Sequence, residues 1–184
     1  MRTDPDFTAL STGRLELRRS VPEDAEAISS YRSDPDVHVH QGWEHTDPDR
    51  VRADIEEMLS RLPGDPGGWV QFSVRERDGG RLVGDVGLCP AEDEPDVMKV
   101  GYTISPAAQG NGFATEAVRA LVDYAFSMLE AEIVRAYADE GNTPSRRVME
   151  KVGMVLIERF EGEDESGPWA GVRYERVRHQ DPTP

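Results

Sequence analysis

The chemistry first legible in this chain sits in six residues, Gln109-Gly110-Asn111-Gly112-Phe113-Ala114. They follow a β-prone run over residues 97–104 that stops at Ser105-Pro106. They open an apolar stripe at positions 114, 117, 118, 121, 122, 125, 126 and 129, the spacing of a helix with one buried face. A helix start leaves backbone N–H groups without partners and carries the positive end of the helix dipole. Glycines there let an anion reach the backbone and adopt conformations that other residues avoid. Strand, glycine turn and helix together make a seat for a phosphate or diphosphate. An ordinary tight turn would use the same two glycines. The Gly-Lys-Ser/Thr ending of a P-loop is absent, and Thr115 stands where a dinucleotide fingerprint needs a third Gly or Ala.

A second constellation follows one helix later. Asn142 and Ser145 lie three apart, with Glu150-Lys151-Val152-Gly153-Met154 downstream. Asn142 and Thr143 are good helix caps and need no ligand for that role. Capping and ligand contact can coexist, because a side-chain amide has both donors and an acceptor.

Taken together, these strings resemble the GNAT superfamily of N-acetyltransferases. Gln109-x-x-Gly112-x-Ala114, placed after Gly101-Tyr102-Thr103-Ile104-Ser105-Pro106, is similar to that family's acyl-CoA diphosphate loop. The extension Phe113-Ala114-Thr115-Glu116-Ala117 resembles the branch that contains ribosomal-protein N-terminal acetyltransferases. The resemblance spans roughly residues 12–178, nearly one whole domain. It implies a mixed α/β acyl-CoA N-acyltransferase fold: a mostly antiparallel central sheet with one splayed parallel strand pair, flanked by about four helices. It implies transfer of an acetyl group from acetyl-CoA, the cosubstrate, to a primary amine by direct attack in a ternary complex. On the same resemblance, Gln109, Gly110, Asn111, Gly112, Phe113, Ala114 and Thr115 hold the diphosphate. Asn142 and Ser145 contact the pantetheine arm, and backbone groups of Tyr102, Thr103 and Ile104 face the developing oxyanion. A homodimer is a family-level expectation.

Two positions depart from the family pattern. Many members carry a tyrosine seven places after the asparagine, proposed to protonate the departing thiolate; here that place is Met149. Ser145 is the nearest hydroxyl and the candidate for that role. The close branch often reads Glu-Ile-Gly-Tyr in the central strand, where this chain reads Lys99-Val100-Gly101-Tyr102. An alkylammonium with a pKa of about 10.4 leaves about one free amine in a thousand at pH 7, so something must take a proton. Asp85 on the neighbouring strand is the candidate base, with Glu92 or Asp96 in the following loop, or a water chain, as alternatives. A peptide α-amine, with a pKa of about 7.7–8.0, needs less help, which mildly favours peptide N-termini over small lysine-like amines as acceptors. Loss of both the tyrosine and the glutamate keeps two rivals open. One is a non-catalytic acyl-CoA-binding or sensing module; the other is an interaction protein that keeps the fold without a ligand.

Composition sets the bounds. The chain has 184 residues, 37% of them apolar, which suits a single domain with one sizeable core. No apolar run reaches the roughly 20 residues of a membrane helix, and the first residues have no apolar signal core, so no membrane partner and a cytoplasmic location are expected. A net charge of −15 argues against nucleic acid as partner and favours cationic ligands, or serves solubility alone. One cysteine, Cys89, excludes an intramolecular disulfide and reads as a small buried residue at a strand end. His38, His40 and His45 come close together, with Trp43 between them. No acidic or thiol ligand completes a metal set by spacing, so no metal is expected and substrate-facing or solvated loop histidines are.

The elements that position these residues read as follows. Residues 1–12 form a loose start, and 14–19 a half-buried strand. Ser20 and Glu23 match a capping box for a helix through about Arg32 that buries Ala25, Ala27, Ile28 and Tyr31. Residues 37–45 read as extended. Asp47-Pro48 opens a helix with a stripe at Val51, Ile55, Met58, Leu59 and Leu62. Residues 63–68 form a mobile loop. Strands over 69–77 and 81–88 join at Asp78-Gly79, a hairpin signal. After the long helix, a strand over 133–138 returns by a crossover and must run parallel to 97–104. A helix capped at Asn142 ends at Gly153. Strands over 154–160 and 169–177 flank an acidic connection at 161–168, and residues 179–184 read as a tail.

Overall fold

Alternation along Val97–Ile104 sets the plan of the molecule. Met98, Val100 and Ile104 point to one face and are buried there, whereas Lys99 and Gly101 point to the other. The computed structural model describes residues 1–40, 46–164 and 167–178. In them the strands are β1 (Ala9–Ser11), β2 (Leu15–Arg19), β3 (Val70–Glu76), β4 (Leu82–Pro90), β5 (Val97–Ile104), β6 (Ile133–Asp139), β7 (Val155–Asp164) and β8 (Gly167–Val177). The helices are α1 (Ala25–Arg32), α2 (Pro35–His38), α3 (Pro48–Leu59), α4 (Phe113–Ser127) and α5 (Thr143–Lys151). All eight strands join one sheet in the order β1-β2-β3-β4-β5-β6-β8-β7. Every neighbouring pair is antiparallel except β5–β6. This is the mixed α/β acyltransferase fold expected from the sequence.

The α4 side holds the main core. Phe72, Val86, Leu88, Met98, Val118, Leu121, Val122 and Met149 are all at most 1% exposed within it. Burying one such side chain contributes about 1.5–3 kcal/mol. The opposite side carries a smaller cluster of Ala25, Ile28, Tyr31, Val51 and Ile55, which seats α1 and α3 on the sheet.

The parallel pair is short. Only Val97↔Ile133, Met98↔Val134 and Lys99↔Arg135 are in register. Beyond Lys99 the two strands part, and β6 continues against β8 as far as Asp139. Arg135 locks the point of divergence: Nη1 donates to Glu94 at 2.5 Å and Nε donates to Glu175 at 2.7 Å. The Glu94 hydrogen bond, working against desolvation and helped by Glu175, holds this guanidinium well above its usual range.

Several local expectations change in the structure. Residues 1–12 are tied down: Arg2 N bonds Leu129 O, Asp4 N bonds Pro63 O, and the Tyr124 hydroxyl donates to Asp4. Phe7 packs edge-on against Phe72 and Tyr124, and β1 pairs with β2. That segment also packs the expected mobile loop, because Arg2 O lies where a Cβ on Gly64 would stand. Ser20 is not the cap; it is buried and accepts from Ser73, while Val21 N bonds the Asp24 carboxylate. Ala27 faces solvent, and so does Leu59 at 40% exposure, because α1 and α3 bury narrower stripes than their apolar residues suggest. Residues 35–38 form a helical turn capped by Asp34, so His38 and His40 do not share an extended face. His45 and Trp43 lie outside the described residues. The acidic connection at 161–168 is mostly strand, with Glu161↔Ala170, Gly162↔Trp169 and Glu163↔Pro168 paired. Glycines allow it: the Phe160 ring fills the place of a Cβ on Gly171, and the Trp169 ring that of one on Gly162.

Candidate active site

The glycine turn has the geometry its residue types demand. Gly110 and Gly112 take φ of +79° and +78°, the left-handed region that side chains strain to enter. Gly112 is the N-cap of α4, and no side chain caps that helix. Its first-turn amides therefore look outward with the positive dipole end behind them. Two side chains set the turn from within. Gln109 Nε2 donates to Ile104 O at 3.0 Å, closing the end of β5. Asn111 Nδ2 donates to Ala108 O and Gln109 O, both at 3.1 Å.

Support from outside the turn was not legible in the sequence. Glu116, in the first turn of α4, accepts from Thr12 Oγ1 at 2.6 Å, Arg14 N at 2.8 Å and Arg14 Nε at 2.7 Å. Arg14 then donates to Asn111 O at 2.9 Å and lies 4.8 Å over the Phe113 ring. Desolvation alone would push the Glu116 carboxyl up, but the bonds from Thr12 and Arg14 outweigh it and hold it below its usual value. Arg14 is about a hundred residues from the turn in sequence, and no spacing rule links the two.

In front of the turn is a cleft of about 560 Å³. Tyr102, Thr103, Ile104, Gln109, Gly110, Gly112, Phe113, Ala114, Thr115, Asn142 and Ser145 line it. Of the sequence-expected cofactor residues, Asn111 alone is not in the lining; it serves as a brace for the turn. Arg147 and Lys151 of α5 also face the cleft, placing positive charge beside the glycine turn of a strongly acidic chain. An uncapped helix start, two left-handed glycines and two cations form a donor set that suits a diphosphate.

The end of β5 and the start of α5 continue the wall of the cleft. Asn142 caps α5 by accepting from Ser145 N at 3.1 Å. The Tyr102 hydroxyl crosses to α5, donating to Ser145 O at 2.9 Å and lying 2.8 Å from Ser145 Oγ. Ser145 is thus engaged by Tyr102 rather than standing free. Burial pushes the Tyr102 phenol well above its usual range, with the Ser145 hydrogen bond only a partial offset. Met149, at the place of the family tyrosine, is fully buried in the core and does not line the cleft.

Asp85 is not in the cleft either. It is 4% exposed and lies under α1, where it accepts from Tyr31 and Gln71 and, at 3.4 Å, from Arg32 Nη2. Burial, then Asp85 itself, pushes the Tyr31 phenol far up. This carboxylate is the centre of a buried polar network, and the structure withdraws it as a candidate base. Cys89 is buried with its thiol pushed up by desolvation, Lys99 opposing, which suits a packing role. Among the described residues no group of three or more His, Cys, Asp or Glu is arranged to hold a metal, and no helix is long and apolar enough to cross a membrane.

The profile of the GNAT acetyltransferase domain matches residues 14–155. The chain belongs to the GNAT acetyltransferase family. It is 32% identical over 141 residues to the uncharacterised N-acetyltransferase p20 of Bacillus licheniformis, covering 76% of this chain and 78% of the relative. Its fold matches the crystal structure of a GNAT-family acetyltransferase from Bacillus anthracis with a TM-score of 0.80 at 25% identity, over 92% of this chain and 98% of the other. A structure described as a putative ribosomal-protein-serine acetyltransferase from Vibrio cholerae shares the fold with a TM-score of 0.77 at 24% identity, over 95% and 99% of the two chains.

Proposed function

We propose that this acetyltransferase moves an acetyl group from acetyl-CoA to a primary amine, a peptide N-terminus or a small cationic amine, as in the ribosomal-protein branch. The observation that carries the reading is the uncapped start of α4 opening into a cleft lined by the end of β5, past the point where that strand leaves β6. The turn at 109–115 takes the diphosphate, and Asn142 and Ser145 take the pantetheine arm. Beyond Lys99 the β6 side of β5 has no ladder partner, and Gln109 takes only the Ile104 carbonyl there, so the remaining amides on that side can face the thioester. The net charge of −15 favours a cationic acceptor.

The neutral amine attacks the thioester carbon, a C–N bond forms, the C–S bond breaks, and the thiolate takes a proton from the attacking nitrogen. An ammonium acceptor releases one further proton to a base. The Tyr102 phenol, held well above its usual range by burial, stands beside the cleft as a hydrogen-bond donor to Ser145 O.

Thermal unfolding with acetyl-CoA tests binding. At 100 times its Kd the ligand adds about 2.7 kcal/mol, or about 5–10 °C for a domain of this size. Thiol release across a panel of peptides and polyamines then tests turnover. A shift without turnover on any amine indicates the acyl-CoA-binding module instead; no shift refutes both readings.

A further inference from the structure

Resting on the acetyl-transfer reading, the chemistry still needs a group to accept the ammonium proton, and the carboxylates nominated from sequence are badly placed for it. Asp85 is committed to its buried network. Glu92 and Asp96 precede β5, whereas the cleft opens around Tyr102, about 20 Å along the strand at 3.3 Å per residue. Lys99 occupies the place where the branch often has glutamate.

Among the described residues, one imidazole lines the cleft. His40 follows α2 and lines the cleft, as do Asp36, Val37, Asn142 and Ser145. Its Nδ1 lies 3.0 Å from Asp139 Oδ2 at the far end of β6. The contact ties the segment after α2 to the end of β6, beside the cleft. Strand parity fixes the side. Val134 and Ala136 point into the core under α4, so Arg135, Tyr137 and Asp139 point to the opposite face. That face also carries Gly101, with the Trp69 ring 3.4 Å from the place of its Cβ. An amine attacking a thioester lodged in the splay from that side approaches away from α4.

We propose that His40, oriented by Asp139, is the general base that takes the proton from the acceptor ammonium. With the Nδ1–H donated to Asp139, the ring presents the Nε2 lone pair, and the carboxylate stabilises the imidazolium that forms. The step balances: the ammonium gives one proton to Nε2, the freed amine adds to the carbonyl, its second proton leaves with the thiol, and His40 returns its proton to solvent. Asp36, the other base lining the cleft, is a carboxylate; an imidazole matches proton transfer near neutrality better. Among the described residues, Asp139 from β6 contacts His40, and the charged and titratable groups that line the cleft with it are Asp36, Tyr102 from β5, and Arg147 and Lys151 from α5.

The test compares wild type, His40→Gln, Asp139→Asn and, as a control outside the cleft, His38→Gln. Each is assayed for acetyl-CoA thermal stabilisation, kcat, KM for the acceptor, and kcat/KM against pH. His40 is exposed, so its variant folds, and the melting curve verifies this. The expected result is a kcat about 100-fold lower in His40→Gln and about tenfold lower in Asp139→Asn, with acetyl-CoA stabilisation unchanged. The acidic limb of the wild-type kcat/KM profile disappears in His40→Gln, and His38→Gln behaves as wild type. Turnover in His40→Gln within about threefold of wild type, or a retained acidic limb, overturns the proposal. Loss of acetyl-CoA stabilisation in His40→Gln overturns it too, because His40 would then close the cleft rather than move a proton. A wild type that binds acetyl-CoA but turns over no amine defeats the enzyme reading first and the base with it.

Discussion

Glu116→Ala tests how the glycine turn at the start of α4 is held. The substitution removes one acceptor shared by Thr12 Oγ1, Arg14 N and Arg14 Nε, and frees the guanidinium that steadies Asn111 O. Hydrogen bonds to a charged group contribute about 1.5–3 kcal/mol each when protected and well under 1 kcal/mol when exposed. The Glu116 side chain is 20% exposed and that of Arg14 54% exposed, so the whole clasp is worth about 2–3 kcal/mol rather than three protected bonds. For 184 residues that lowers Tm by about 4–10 °C. If half of it is felt as disorder of the turn in the free protein, acetyl-CoA binding weakens about five- to tenfold. Differential scanning calorimetry and a titration with acetyl-CoA read both quantities. The lowered Glu116 carboxyl adds a pH signature. Its stabilisation is present above the ordinary carboxylate range and is lost as pH falls through the lowered value, so wild type and variant converge in acid. A variant whose Tm stays within about 1 °C, with unchanged affinity for acetyl-CoA, refutes the clasp.

Two further outcomes follow from the same geometry. Asp85→Ala removes the acceptor common to Tyr31, Gln71 and Arg32, and is expected to cost about 3–5 kcal/mol in urea unfolding; a variant of wild-type stability whose turnover alone is abolished would restore Asp85 as the base. Gly171→Ala drives a methyl into the Phe160 ring and costs about 1–3 kcal/mol, a cost that shrinks towards zero in the Phe160→Ala background; additive effects in that double-mutant cycle would show that the ring is not what excludes the side chain.

Local patterning made much of the scaffold legible. Val97–Ile104 and the stripe that follows it reported a strand and a half-buried helix, and Gly153 stopped α5 as a C′ glycine with φ of +83°. The crossover required β5 and β6 to be parallel, as they are. The reading failed where a segment's partner is remote. Residues 1–12 look unstructured alone, but Phe7 finds Phe72 and Tyr124 far along the chain. Gly162 reads as loop until the Trp169 ring of the paired strand occupies its empty Cβ position.

At the site, the division follows the range of each interaction. Residue types at short spacing determined the glycine turn at 109–115 and the cap at Asn142, because helix starts, left-handed glycines and capping amides act within one turn of the chain. Tertiary structure alone decided which charged side chains attend that turn. Folding buried Asp85 beneath α1, brought Arg14 onto Glu116, and laid His40 against Asp139, 99 residues away. Sequence position carries no information about such pairs, since the sheet order, not chain distance, sets which side chains meet.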